Sequence, residues 1–493
     1  MAPPFSSTLV DGVLRYPPTG IKVLIVGAGV AGMFAALECW RKGNDVEIIE
    51  KASKFSAAGD IVLIGPSAWP TLHKYPSMLK EYLEVGQLPD QTFYTFHGTK
   101  TAGPAVSEWD RPNTANHAAY PLEVRGLMGR NEVCAMLLHQ CERLSIPITW
   151  GVDIVDYEDH PAAEYPKAIA VDGKVYSGDV ILAADGIGTK SHKITLGRPV
   201  EAKDTGYTCY RVMFPASKLK SAPLLTKFLE ENEEPKGRLY TGDNMHCVFV
   251  ITRRHITVVL TVLEENVTRD EVKESWKSGA SSNDVLASVG NTDGWDPLLV
   301  EAINNTPEQS IIRWKLCMRD PQPKWLSDNG RLLQIGDAAH SFIPTSANGA
   351  CTAIEDCLSV GECLRLGGGK EGASIALKVH EFTRYQRVTL VQRTGFENRR
   401  MLHHKTDENQ KENWELKVFQ TGKWHWGHNV EQYATENFHK ARAHLESGAP
   451  FEHKNLPPGH KFEEWTLEGE MAKEKSNLNL AADLRSNGDW GVL

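Results

Sequence analysis

Apolar positions along this chain fall into short unbroken runs, helical stripes and alternating stretches, and each predicts a different element. Residues 21–26, IKVLIV, form a run broken only by Lys22 and read as a strand buried on both faces. The glycines of 27–32 then predict a tight turn, and residues 30–42 a helix that Gly43 and Asn44 stop. Val46 to Glu50 is a second buried strand, so the segment is a βαβ unit of a parallel sheet. In 130–144, apolar residues at 133, 136, 137, 141 and 144 make the stripe of an amphipathic helix. Val180 to Ala184 is another buried strand. Residues 246–263 alternate on two arms about the polar turn Arg253-Arg254-His255. That predicts an antiparallel sheet and a second domain over 201–310. The stretch GRLLQIGDAAH, 330–340, returns to the strand-and-tight-turn manner of the first domain. The first domain is therefore expected to be discontinuous, 20–200 and 311–400, with the sheet domain inserted. Residues 401–493, polar and tryptophan-bearing, are expected to form a helical C-terminal region.

Composition narrows the class. At 493 residues the chain is long enough for two or three domains, and 41% apolar with 24% charged residues is ordinary for a globular protein. A net charge of −9 gives no electrostatic footprint for nucleic acid or an anionic membrane. The nine cysteines include no CxxC pair and read as reduced, buried small hydrophobes of an intracellular protein. The first twenty residues lack a basic region followed by an apolar one, and Ile21 to Leu37 is too short and too broken for a membrane span. A cytoplasmic location, with no membrane span and no nucleic-acid partner, is the expectation.

The glycine turn carries the first chemistry. In Gly27-Ala28-Gly29-Val30-Ala31-Gly32, the first glycine permits the turn, the second admits a pyrophosphate to the backbone, and the third lets helix pack on strand. The helix start adds free N–H groups and a positive dipole end. Glu50, closing the second strand, is placed to accept hydrogen bonds from an adenosine ribose, with Lys51 beside it as a further cofactor contact. Dinucleotide binding follows, against the plainer reading of a glycine-rich turn in an α/β core. NAD and FAD are not separated by these residues.

Two later motifs bear on that choice. YSGDVILAADGIGTKSH ends its strand in Asp185-Gly186, and GDAAHSFIP, starting at Gly336, leads through Pro344 into the small residues Ala347, Asn348, Gly349 and Ala350. With the glycine turn, and in this order, they resemble the class A FAD-dependent monooxygenases of the para-hydroxybenzoate hydroxylase and salicylate hydroxylase type, most nearly the fungal members. The resemblance spans about 20–400 and implies an FAD-binding Rossmann-like domain of the glutathione-reductase type, an inserted antiparallel-sheet substrate domain and a helical tail. It implies FAD as cofactor and NADPH or NADH as co-substrate. Asp185 and Gly186 would serve the pyrophosphate region and nicotinamide docking. Asp337 would bind the ribityl chain, Pro344 would lie against the flavin ring, and Arg130, opening its helix, would reach FAD. The family's serine and arginine after Asp-Gly are Thr189 and His192 here, and its glycine and glutamine are Ala347 and Asn348. An alanine at 347 excludes a backbone that needs φ > 0. His340 reads as a packed histidine beside the turn.

The family's reaction inserts one oxygen atom of O2 into an organic substrate through a flavin hydroperoxide, so no nucleophile is needed from the protein. It must supply a dry pocket and a group that manages the substrate's proton. The expected substrate is a phenol- or indole-like small molecule of secondary metabolism, and the expected state is a monomer or homodimer. Arg211 and Tyr240 resemble the arginine and tyrosine that related hydroxylases place at the substrate; for Arg211 a salt-bridged strand residue is the competing reading. Asp60 is either a proton donor beside the flavin or a capping acid. His403 and His404 diverge on a helix, so a metal is not expected. Flavin-dependent halogenation, epoxidation and a non-catalytic flavin-fold binding protein are the alternatives. KWHWGH at 423–428 is only superficially similar to the halogenase tryptophan motif, and Trp424 and Trp426 are better read as anchors of the tail.

Overall fold

The computed structural model describes residues 6–55, 59, 61–105, 125, 127–264, 279–308, 310–403, 421–476 and 484–491. Five strands pair in parallel in the order Leu332–Gln334, Val180–Ala183, Lys22–Val26, Asp45–Glu50 and Ile148–Trp150. The apolar runs explain this sheet, since its central strands are covered on both faces and leave little but Val, Ile and Leu. Helix Val30–Arg41 follows strand Lys22–Val26 and packs against the helices Arg130–Arg143 and Gly349–Gly367. Close approach is built in: a Cβ on Gly361 would stand 3.2 Å from the backbone of Glu38. Gly43 ends the first helix at φ +89, and a Cβ there would lie 2.1 Å from the Pro17 carbonyl oxygen.

A second sheet of seven strands runs Ile312–Met318, Lys203–Pro215, His255–Leu263, Met245–Ile251, Lys236–Gly242, Asp90–Thr95 and Lys100–Ala105. The expected hairpin is its centre, with Ile251 opposite Ile256 across the Arg253-Arg254 turn. Its edges lie outside the 201–310 bounds. Residues 90–105 join through parallel pairing of Asp90–Thr95 with Lys236–Gly242, and 312–318 through antiparallel pairing with Lys203–Pro215. Parallel pairing across 146 residues leaves no local signature, which is why the sequence placed 90–105 with the first domain. The fold is α/β with an FAD-type parallel sheet, a large sheet above it and helices at the C-terminal end, as the chain predicts.

Helix Ala373–His403 spans the 400 boundary, and the helices Lys423–Trp426, Val430–Ser447 and Leu467–Lys475 follow it. Charges tie Val430–Ser447 to the first domain. Glu431 receives Arg41 at 3.0 Å, Lys42 at 2.5 Å and also Lys74, while Lys42, 1% exposed, meets Glu362 at 2.5 Å. Buried cations on one helix thus require acids from two others. Among the described residues no helix is long and apolar enough to cross a membrane.

Candidate functional site

Between the two sheets lies a cavity of about 570 Å³. Its lower wall comes from the glycine turn at 29–31, from Ala184 and Gly186 after their strand, and from Asp337 and the run 342–351. Arg130 and the segments 61–63 and 65–67 close one flank. The upper wall is one face of the large sheet. Phe93, Leu239, Val248, Val259 and Arg211 stand in a single cross-strand row, and His246 faces Thr261 in another. Period two fixes this face: His246, Val248 and Val250 point into the cavity from one strand.

The glycines of the turn separate by purpose. A Cβ on Gly27, at φ +106, would lie 2.4 Å from the Ala184 carbonyl oxygen, and one on Gly32 would lie 1.8 Å from that of Gly27. Both are required by the protein's own packing. A Cβ on Gly29 would meet no protein atom within 4 Å, yet Gly29 borders the cavity, so its bareness serves whatever lies there. Glu50 Oε2 accepts from the Ala28 N–H at 2.7 Å and Oε1 from the Ala52 N–H at 2.8 Å, which holds the carboxylate beside the turn. Lys51 is exposed and is not on the cavity wall.

Asp337 opens into the cavity, and the protein enclosing its other sides raises its carboxyl above the ordinary range. Gly336, at φ +57, donates its N–H to Asp356 at 3.1 Å, and a Cβ there would stand 2.9 Å from Ala31. His340 is the packed residue expected of it, 2% exposed with Nε2 2.5 Å from Asp356. Pro344 to Ala350 border the cavity, and helix Gly349–Gly367 begins within that run. Asn348 holds the turn by donating Nδ2–H to the Ser346 carbonyl at 2.7 Å. Ala347 departs from expectation: it adopts φ +54, a left-handed conformation costly for alanine. The turn is imposed here without a glycine. Asp185 accepts from Tyr157 Oη at 2.7 Å, and its Oδ1 is buried without a partner. Burial raises its carboxyl above the usual range. Gly186 is on the cavity wall.

The substrate-side assignments divide. Arg211 borders the cavity. Tyr240 does not, and its assignment is corrected: Leu239 takes the cavity face, so the next residue points the other way. Its hydroxyl donates to Asp296 at 2.7 Å, where Arg238 also pairs at 2.7 Å, and it is fully buried against Phe96. Burial and the Asp296 charge push that phenol far above its ordinary pKa. Asp60 and His404 lie outside the described residues.

Sequence reasoning missed two groups. His246 stands on a strand it identified, and alternation with Val248 and Val250 would have found it. Its Nδ1 is 2.6 Å from Nε2 of His403; burial, with the Arg399 guanidinium nearby, pushes His246 down to about 3, so the ring is neutral at physiological pH. Thr421, His425 and Trp426 also border the cavity, and no local signal places a segment so distant in sequence there.

This arrangement fits FAD. The open glycine beside a helix start leaves room for phosphates, an aspartate opens into the middle, and a bare turn ends in the positive end of a 19-residue helix. Comparisons agree. The family described as FAD binding domain matches residues 20–298. The FAD-dependent monooxygenase fsr3 of Gibberella fujikuroi is 33% identical over 97% of this chain and 91% of its own length. The FAD-dependent monooxygenase mdpD of Emericella nidulans is likewise 33% identical, over 97% of this chain and 91% of its own. The crystal structure of CtdE in complex with FAD and substrate 4 superposes with a TM-score of 0.76 at 24% identity, covering 87% of this chain and all of that one.

Proposed function

The chain belongs to the class A FAD-dependent monooxygenases, matched by the FAD binding domain family over residues 20–298, and from that premise we propose that it hydroxylates a phenol- or indole-like aromatic substrate of secondary metabolism at the expense of NAD(P)H and O2. The observation that carries this reading is the pairing of the glycine-and-aspartate cradle with an apolar sheet face bearing Arg211 and His246 across one cavity.

Gly29 would admit the pyrophosphate in a turn that Gly27 and Gly32 shape, with Glu50 beside it for the adenosine ribose; Asp337 would hold the ribityl chain, and Pro344, Asn348, Gly349 and Ala350 the ring, with Arg130 at the flank. Asp185 and Gly186 would meet the pyrophosphate region and the nicotinamide donor. Bound FAD, once reduced, supplies the activation of O2. The helix start at Gly349 places free N–H groups and a positive dipole end where negative charge on the ring is stabilised. Phe93, Leu239, Val248, Val250 and Val259 keep water from the substrate face. Arg211 offers a fixed cation for a phenolate oxygen, an interaction of about 1.5–3 kcal/mol. Neutral His246 can donate to or accept from a substrate hydroxyl, according to which ring nitrogen carries its proton. Residues 201–310 with the added edges would form the substrate domain, acting as a monomer or homodimer.

The test supplies FAD-reconstituted protein with NADPH or NADH and a panel of phenols and indoles under 18O2. The expected result is substrate-stimulated oxidation of the nucleotide and a product heavier by one labelled oxygen. Oxidation that no substrate stimulates, with no label in any product, overturns the reading.

A further inference from the structure

His246 stands on the cavity wall as one half of a pair. Its strand, Met245–Ile251, turns His246, Val248 and Val250 to the cavity. Its Nδ1 lies 2.6 Å from Nε2 of His403, the last residue of helix Ala373–His403. His403 is held in that place. Its carbonyl accepts the N–H of Asn244 at 3.1 Å, in the turn before the same strand, and its ring packs 5.0 Å from that of Tyr207. With Nδ1 taken, Nε2 is the nitrogen His246 has left for a ligand, and it is not one of the nitrogens that the fold seals away from both solvent and partner.

The bond between the rings decides what Nε2 offers. His246 is neutral and carries one ring proton. On Nδ1 that proton is donated to His403, and Nε2 is a bare acceptor. On Nε2 it faces the cavity, and His403 is the donor. The surroundings choose between the two. Along strand Lys203–Pro215, Arg211, Cys209 and Tyr207 share one face, and Cys209 and His246 both pair with Thr261. The row of His246 therefore runs between the rows of Arg211 and Tyr207. Arg399 lies over Tyr207, 4.6 Å from its ring centre, one turn before His403 on their helix. Glu474 fixes it there with bonds of 2.9 and 2.6 Å. Arg399 is not on the cavity wall, and it is the cation whose charge acts on His246. A neutral imidazole is a dipole with its positive end at the N–H, and a cation turns that end away. Both rings satisfy Arg399 when His403 donates to His246 and His246 points its Nε2–H into the cavity.

We propose that His403 is a positioning residue that makes His246 a hydrogen-bond donor to a phenolate oxygen of the substrate. This rests on the reading of the cavity as the site of FAD and an aromatic substrate, and it narrows the substrate class. A phenol presents an oxygen that accepts the N–H. An indole presents only an N–H of its own, a donor facing a donor, so the pair selects phenols over indoles.

Protein labelled with 15N-histidine and read at pH 7.5 by two-bond 1H–15N correlations gives the tautomer, with His246→Phe assigning the signals. Titration of 4-nitrophenol and of indole into the FAD-loaded protein, followed through the spectrum of the bound flavin, gives the two affinities. Wild type should carry the His246 proton on Nε2 alone. His246→Phe and His403→Phe should each bind 4-nitrophenol about tenfold more weakly, the effect of one hydrogen bond to a charged oxygen. Indole gains nothing from the pair, so its affinity should not fall. His403→Phe should also lose the single tautomer, and His403→Gln, whose amide N–H replaces the missing donor, should recover most of the phenol affinity. A wild-type proton on Nδ1 overturns the proposal. So does an equal fall for both ligands, which marks lost packing, or a folded His403→Phe that binds 4-nitrophenol as the wild type does. Should His403→Phe fail to fold, the wild-type tautomer and the two ligands on His246→Phe decide the matter. The tautomer is read in the apoprotein as well, so the two readings separate. A wild type that takes up no FAD overturns the reading of the cavity and the substrate contact with it, whichever nitrogen holds the proton.

Discussion

Glu355→Gln is the perturbation that probes most of the structure beneath the cavity. Glu355, 2% exposed, takes Arg384 Nη1 at 2.5 Å on Oε2, Arg387 Nη2 at 2.9 Å on Oε1, and the Ser67 hydroxyl at 2.7 Å on Oε1. Burial pushes its carboxyl up, and the guanidiniums of Arg387 and Arg384 more than reverse that, holding it well below the ordinary range. Glutamine keeps the shape but turns one acceptor into a donor facing other donors, and among the described residues it leaves the two buried guanidiniums with Asp356 as their charge partner. Removing one partner of a buried ion pair costs about 3–5 kcal/mol. Unfolding entropy of about 2.1 cal/mol/K per residue over 493 residues comes to about 1 kcal/mol/K. The melting temperature of a chain that unfolds as one unit should therefore fall by about 3–5 °C. Differential scanning calorimetry at pH 7.5, with FAD in matched excess, measures it. The double variant Glu355→Gln with Arg387→Gln should lose less than the sum of the two single changes, because the stranded cation is gone. A single-variant melting temperature within about 1 °C of wild type, or strictly additive losses, would refute the idea that this carboxylate neutralises the cluster.

Gly29→Ala should fold as the wild type does, since its Cβ meets no protein atom within 4 Å, yet bind FAD at least about tenfold more weakly by fluorescence titration; unchanged affinity would remove the phosphates from that turn. Tyr240→Phe should lower stability by about 1–2 kcal/mol through the lost bond to Asp296 and leave KM for the aromatic substrate unchanged, whereas Arg211→Met should raise KM or abolish turnover. His246, His380 and His425 each have a folded pKa pushed from 6.5 to about 3, chiefly by burial. The unfolded chain takes up those protons first, so this stability is complete above about pH 6.5 and is lost as pH falls toward 3, at about 1.4 kcal/mol per group per unit. A melting temperature no lower at pH 5.5 than at pH 7.5 contradicts it.

What the sequence showed and hid follows the range of each interaction. Strand 22–26, helix 30–41 and the hairpin 245–263 declare themselves through spacing within one element, and their burial follows. The Gly and Asp positions of the cradle are legible because backbone approach to a ligand demands particular residue types at particular offsets. Tyr240 was misplaced because Arg238 and Tyr240 share the polar-looking face of their strand, and the acid that satisfies both, Asp296, is remote. Strand 90–95 and the wall at 421–426 depend on partners 146 and 37 or more residues away, where neither spacing nor composition carries a signal. Ala347 shows the reverse case, a left-handed turn forced by its surroundings on a residue that does not favour it.

The claim on which the account turns is that the bare turn, Asp337 and the Gly349 helix start together hold one flavin. Purified protein incubated with excess FAD, freed of unbound ligand by gel filtration and read by absorbance, tests it without reference to any substrate. The account predicts a yellow protein carrying one FAD per chain, with the amount reduced in Gly29→Ala. A folded, colourless protein that retains no flavin would contradict it.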